Sequence, residues 1–374
     1  MHKAFIFPGQ GSQYVGMGSD LYHEYEHARE RYACADDILG YNLSSISFHG
    51  PDDELRKTEF AQPAIFVHSI IIDEYLKSNG TKPHAVAGHS LGEFSALVSA
   101  EVLSFEDALE IIKVRSNAMA DAGQITPGTM AAIIGANAKQ LETICNQVGV
   151  VVPANLNAPG QVIISGEIQA VDYAITLAKE LGIRQTIPLN VSGAFHSPLM
   201  TSARGPLQEV VNSVNLQDAK IPVYQNFAAK PVTDTENIRK NILLQLENPV
   251  LWSDTIINML QNGMTEFIEV GPGKVLNRLN RRINKEIITH NFDKMEAYSV
   301  RIVKTKCAVA AMITLRNSQW NRQYARCRAP RRHHPRTIHQ PNGCAMIQGG
   351  RGSFREASFE NVQCYQSQGV KHDK

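Results

Sequence analysis

Ala85-Val86-Ala87-Gly88-His89-Ser90-Leu91-Gly92-Glu93 is the stretch on which the fold of this chain turns. A short apolar run stops at Gly88, Ser90 stands between two glycines, and Phe94-Ser95-Ala96-Leu97-Val98 continues as an amphipathic helix. This is the G-x-S-x-G elbow, in which a strand turns sharply into a helix and the glycines let the backbone pass close to itself. Such a turn lifts the serine hydroxyl clear of the sheet. It also leaves the backbone N–H of Leu91 unpaired at a helix N-terminus, where negative charge is favoured. An ordinary strand-to-helix turn fits the same five residues, so the elbow has to be weighed with the rest of the chain.

Composition narrows the class. The 374 residues are 43% hydrophobic and 20% charged, enough for one large domain with an insertion or for two domains. No apolar run approaches the roughly 18 residues of a membrane span. Met1-His2-Lys3-Ala4-Phe5-Ile6-Phe7 lacks the long apolar core and small-residue cleavage site of a signal peptide. Six cysteines stand apart with no C-x-x-C, which points away from a disulfide framework or a zinc site. A cytoplasmic protein acting as a monomer is expected. The net charge of +1 hides an asymmetry: residues 294–374 hold 15 Lys/Arg against 4 Asp/Glu, leaving 22 against 32 for the first 293.

Ala4-Phe5-Ile6-Phe7 reads as a strand ended by Pro8-Gly9-Gln10-Gly11-Ser12-Gln13. That loop has neither the G-x-G-x-x-G spacing nor a P-loop lysine, so it is no phosphate cradle. The N–H of Gln10 could serve as a second oxyanion donor, or the loop could be a plain turn. Helices are expected over 21–39, 62–76 and 104–122, the last opened by the capping-box-like Ser104-Phe105-Glu106-Asp107. Arg115 lies on that third helix. A lone helical arginine is usually a solvated surface residue, unless a substrate brings a carboxylate for its guanidinium fork.

Residues 126–190 change rhythm to β-α-β-β-α-β, with strands at 130–134, 150–156, 161–165 and 184–189, helices at 139–148 and 171–181, and a hairpin turn at Asn157-Ala158-Pro159-Gly160. The expected fold is therefore α/β: an α/β-hydrolase-like core over 1–125 and 191–293, with a ferredoxin-like subdomain inserted at 126–190. His196 follows in Val191-Ser192-Gly193-Ala194-Phe195-His196-Ser197, where the chain returns to the core. A serine nucleophile needs a base, and histidine has the side-chain pKa nearest 7. Asn248-Pro249-Val250-Leu251-Trp252 holds no carboxylate to orient that histidine, which leaves a backbone carbonyl for the task. Phe267-Ile268-Glu269-Val270 is expected as the final strand, with a helix starting near Gly271-Pro272-Gly273-Lys274.

Six collinear motifs, Phe7–Gln13, Gly88–Glu93, Arg115 in its helix, Ser192–Ser197, Asn248-Pro249-Val250 and Glu269–Lys274, resemble the bacterial malonyl-CoA:acyl carrier protein transacylases over roughly residues 1–293. The resemblance implies Ser90 as nucleophile, His196 as base, the N–H groups of Gln10 and Leu91 as oxyanion donors, and Arg115 as the partner of the malonyl carboxylate. It places the base-orienting carbonyl at Leu251, where in family members with glutamine that residue's main-chain carbonyl receives the histidine's hydrogen bond, and it leaves no glutamine side chain available for any further role. It implies malonyl-CoA as substrate, an acyl carrier protein bearing phosphopantetheine as partner, and no metal or redox cofactor. Phe195 beside the base would crowd an α-methyl and disfavour methylmalonyl.

Three other readings remain at this stage. A serine thioesterase or lipase shares the elbow but typically supplies an acidic third member, and none is placed for it after His196. A polyketide-type acyltransferase uses the same dyad. A non-catalytic carrier-docking subunit would not need Ser90 and His196 intact. The pattern of the family fades after about Ile288. Beyond it, Arg326-Cys327-Arg328-Ala329-Pro330-Arg331-Arg332-His333-His334-Pro335-Arg336 is basic and aperiodic, and Gln348-Gly349-Gly350-Arg351-Gly352-Ser353 is low in complexity. Nucleic-acid binding by this tail, a metal site among Cys307, Cys327, Cys344 and Cys364, a disordered extension and a reading frame lost near residue 290 are the alternatives there. No folded nucleic-acid module is visible, and neither nucleic acid nor membrane is expected as a partner.

Overall fold

Ala4, Phe5, Ile6 and Phe7 are all fully buried, and they explain the architecture. Phe5 and Phe7 join one apolar cluster while Ala4 and Ile6 join a second, so the strand is covered on both faces, as a parallel central strand must be. The computed structural model describes residues 2–294, and everything below concerns these. The basic stretch, the low-complexity stretch, the four tail cysteines and the suggested frame loss lie almost wholly outside the described residues.

Strands β1 (His2–Phe7), β2 (Ala85–Gly88), β3 (Gly128–Ile134), β4 (Val151–Ala158), β5 (Gln161–Glu167), β6 (Gln185–Pro188), β7 (Val223–Tyr224), β8 (Pro231–Val232), β9 (Met264–Val270) and β10 (Ile288–Phe292) form two sheets. The larger has the order β10-β9-β1-β2-β7-β8. It is parallel except for β8, a two-residue antiparallel edge. The smaller has the order β4-β5-β3-β6 and is antiparallel throughout. Helices Ala138–Cys145 and Ile168–Glu180 cover one of its faces through Ile144, Val171, Ala174 and Ala178.

β9 is not the last strand, contrary to the sequence expectation, because β10 pairs with it in parallel at the sheet edge. Ile288-Thr289-His290-Asn291-Phe292 carries no fully buried residue, so no continuous apolar run announced it. The two-residue β7 and β8 were too short to read.

The sheets are stitched together near the elbow. Val250 N–H donates to Ala154 and Leu156 N–H donates to Val250, both at 2.9 Å, tying β4 to the segment that follows helix Thr235–Gln245. His89 Nε2 and Asn157 Oδ1 add a 2.8 Å contact between elbow and small sheet. Among the described residues no helix is long and apolar enough to cross a membrane.

Candidate active site

Ser90 sits between β2 and helix Gly92–Ser99 at φ +52°, a left-handed conformation that costs a non-glycine residue of order 1–3 kcal/mol. Both glycines of the motif are required by close backbone approach. A Cβ on Gly88 would lie 1.9 Å from Gly92, and one on Gly92 would lie 2.1 Å from the carbonyl oxygen of Phe7. The elbow is thus wedged directly onto β1.

His196, on the loop after β6, has Nε2 2.7 Å from Ser90 Oγ. Its Nδ1 lies 2.9 Å from the main-chain oxygen of Gln245. A carbonyl can only accept, so Nδ1 carries the proton, Nε2 presents a lone pair, and the Ser90 hydroxyl donates to it. Burial and the Arg115 charge push the imidazole down to about 3, which keeps it neutral at ordinary pH.

Leu251 does not orient the base. Its carbonyl accepts from Thr255 N–H in the first turn of helix Trp252–Gln261, and its N–H donates to Asn226. Gln245 holds that place because it ends helix Thr235–Gln245, where the last carbonyls have no intrahelical donor. The Asn248-Pro249 pair marks the helix stop, and a free carbonyl belongs just before such a stop rather than after it. The carbonyl therefore comes from six residues before Leu251.

Gln245 does more through its side chain. Its Oε1 accepts from Arg115 Nη2 at 2.9 Å and its Nε2 donates to the Ser90 carbonyl at 3.1 Å. Arg115 is 1% exposed rather than on the surface. Its Nη1 donates to Gln62 Oε1 at 2.6 Å, and its Nη2 also reaches Ser90 Oγ at 3.2 Å. Nε is buried with no partner among the described residues, and the guanidinium carbon lies 5.4 Å from the centre of the Phe94 ring. Burial lowers this group to about 10, with Glu93 opposing the shift, so it stays charged. Gln62 and Gln245 went unnoticed in the sequence because they come from helices far apart in the chain.

Gln10 and Leu91 flank the serine. Both line a cavity of about 110 Å³ with Ser90, His196, Met119 and Phe195. Neither backbone N–H has a protein acceptor among the described residues. The Gln10 side chain donates to Thr58 Oγ1, which contacts Ser192 Oγ. A larger outer cavity of about 370 Å³ shares Gln10, His89, Asn155, Leu189 and Val191 with the inner one and runs out between the two sheets past Arg56 and Asn190.

A hydroxyl with a neutral base on one side, a guanidinium on the other and two free N–H groups nearby is equipped for acyl transfer. The chain matches the family model of the acyl transferase domain over residues 4–314, and it belongs to that family of acyltransferases. Its relatives are narrower still. The malonyl CoA-acyl carrier protein transacylase of Bacillus subtilis is 43% identical over 290 residues, covering 76% of this chain and 92% of the relative. The protein of the same name from Staphylococcus aureus is 38% identical over 297 residues, covering 78% and 96%. Among solved structures, the malonyl-CoA:acyl carrier protein transacylase of Xanthomonas oryzae superimposes with a TM-score of 0.77 at 36% identity, covering 80% of this chain and 98% of that one. A malonyl-transacylase in complex with its type II PKS acyl-carrier protein gives the same TM-score and identity, covering 79% and 97%. The family match ends some 26 residues beyond Ile288, where the motif pattern stops.

Proposed function

We propose that this protein moves a malonyl group from malonyl-CoA to the phosphopantetheine thiol of an acyl carrier protein through a malonyl ester on Ser90. The observation that carries the reading is the position of Ser90 Oγ, 2.7 Å from His196 Nε2 and 3.2 Å from Arg115 Nη2. In the first half-reaction His196 takes the hydroxyl proton as Oγ attacks the thioester carbonyl. The N–H groups of Gln10 and Leu91 receive the oxyanion, a contribution of about 3 kcal/mol per donor in comparable sites. The C–S bond breaks and the proton on His196 goes to the departing CoA thiolate. In the second half-reaction the carrier thiol gives its proton to His196 and attacks the ester, and Ser90 leaves with that proton. The kinetics are ping-pong.

Arg115 pairs with the free carboxylate of the malonyl group, which suits a charged fork whose Nε has no protein partner. Phe195, nearly buried in the wall of the inner cavity, limits room for an α-methyl and favours malonyl over methylmalonyl. The route calls on no metal or redox group. The outer cavity, open between the sheets, offers a course for the pantetheine arm. The fold reading accompanies this one: an α/β-hydrolase-like core over 1–125 and 191–293 carries the elbow, and a ferredoxin-like insertion over 126–190 walls the cleft. The strand order β4-β5-β3-β6 supports the second assignment.

Intact-protein mass spectrometry after brief mixing with malonyl-CoA tests the proposal. One malonyl group is expected on the wild-type chain and none on Ser90→Ala, with discharge on adding a holo carrier protein. Hydrolysis of the ester by water at the same rate with or without carrier would make the protein a thioesterase instead. Running the discharge with fatty-acid and polyketide carriers separates those two settings.

A further inference from the structure

Glu93 is a buried carboxylate to which the transfer route gives no task. It is 1% exposed, and it follows the elbow by one helical turn. Its Oε2 accepts from the backbone N–H of Asn226 at 2.6 Å, and its Oε1 accepts from Gln225 Nε2 at 3.2 Å. Asn226, itself 1% exposed, then turns its side chain onto the elbow. Its Nδ2 donates to the Gly88 carbonyl at 2.5 Å and its Oδ1 accepts from Ser90 N–H at 2.6 Å. One amide thus grips the backbone on both sides of His89. The Asn226 carbonyl is tied as well, accepting from Leu251 N–H at 3.0 Å. Its side chain thus holds the turn while its backbone N–H and carbonyl are fixed by Glu93 and Leu251.

The turn needs holding. Ser90 keeps φ at +52°, and a strained residue relaxes unless its surroundings over-determine it. We propose that Asn226, anchored by Glu93, is a positioning residue that keeps Ser90 in its strained conformation and so sets the direction of its Oγ toward His196 Nε2. Asn226 touches no reacting atom. Its effect runs through the backbone of the nucleophile, since its side chain bonds to the Gly88 carbonyl and the Ser90 N–H and to neither Arg115 nor His196. In naming malonyl-CoA this inference rests on the transfer reading above, so its test uses a second probe that does not.

The test measures the rate at which Ser90 is sulfonylated by phenylmethylsulfonyl fluoride, followed by intact mass, beside the rate of malonylation. Asn226→Ala is expected to slow both by about 10²-fold, the scale of a misplaced reacting group. Malonyl-CoA should bind Ser90→Ala and Ser90→Ala/Asn226→Ala equally in calorimetry. Glu93→Gln, which keeps an oxygen for the Asn226 N–H, should stay within about twofold of wild type, whereas Glu93→Ala should follow Asn226→Ala. If Asn226→Ala does not fold, Asn226→Asp keeps the volume and the acceptor, loses the donor to Gly88, and should still be sulfonylated more slowly than wild type. Wild-type sulfonylation of either folded asparagine variant overturns the proposal, as does a loss of malonyl-CoA binding that accounts for the slower malonylation. Were the substrate not malonyl-CoA, sulfonylation would still depend on Asn226.

Discussion

Nδ1 of His196 lies 2.9 Å from the main-chain oxygen of Gln245, the last residue of its helix, and this contact selects the tautomer that leaves Nε2 bare toward Ser90. A main-chain partner survives any substitution of the residue that provides it. Gln245→Ala should therefore keep the oriented imidazole while losing two side-chain bonds, to Arg115 and to the Ser90 carbonyl. Malonyl transfer is expected to fall about 30-fold, from two bonds worth of order 1 kcal/mol each. Leu251→Ala should leave the steady-state rate within about twofold, since its carbonyl serves only helix Trp252–Gln261. A larger loss at Leu251 than at Gln245 would contradict this assignment.

Arg115→Ala separates recognition from chemistry. Removing the guanidinium should cut malonyl loading by about 10²-fold, the worth of a charge-assisted pair, and acetyl loading far less. Comparing the two acyl-CoA thioesters in the same loading assay measures the difference. Equal losses for both would remove the carboxylate clamp from the account.

The acid side of the rate profile should be unusually extended. His196 is held near 3 by burial first and by the Arg115 charge second, well below its ordinary 6.5. A base with a depressed pKa stays unprotonated as the pH falls, so acylation should not drop through pH 6.5. Arg115→Ala removes one depressing cause and should move the acid limb upward. The same depression has a stability counterpart: the unfolded chain takes up the proton first, so this group destabilises the fold as pH falls from about 6.5 toward 3. Single-turnover rates and thermal melts over that range check both statements.

Glu93 runs the other way. Burial raises its carboxyl to about 7 against an ordinary 4.5, so the folded chain holds its proton where the unfolded chain has lost it. Its contribution is full at low pH and is lost as pH rises from about 4.5 through 7. Glu93→Gln carries no such dependence. The melting temperature of the variant relative to wild type should therefore climb across that window and level off above it. A flat difference would show that the carboxyl is ionised throughout.

Gly92→Ala would put a methyl 2.1 Å from the Phe7 carbonyl oxygen, a backbone atom that cannot swing aside. A loss of about 3 kcal/mol or more is expected, at or above the upper end for overpacking, read as a lower midpoint in denaturant. Gly11→Ala, where nothing lies within 4 Å of a Cβ, is a control for conformational strain alone at its φ of +97°.

The elbow was legible because its demands are local: two glycines and a serine within five residues state their own geometry. The hairpin of the small sheet was legible for a similar reason, as Pro159-Gly160 marks the turn between β4 and β5, whereas the pairing of β3 with β5 and β6 had to come from the β-α-β-β-α-β rhythm. The burial of Arg115 was not, since Gln62 and Gln245, which satisfy it, reach it only after folding brings three helices together. The carbonyl that orients His196 left no side-chain signature at all. Nothing in the sequence singles out Asn226, because its importance lies in two backbone atoms 138 and 136 residues earlier. Residues that act by bonding to main chain are the ones a pattern of side chains conceals.

The paired amide bonds between Val250 and β4 make the cleft a door frame rather than a clamshell. With its sill riveted, the loop that follows Gln245 is moored to the same strand that lines the inner cavity through Asn155, so a shift of β4 would be felt at the imidazole's carbonyl partner as well as at the cavity wall.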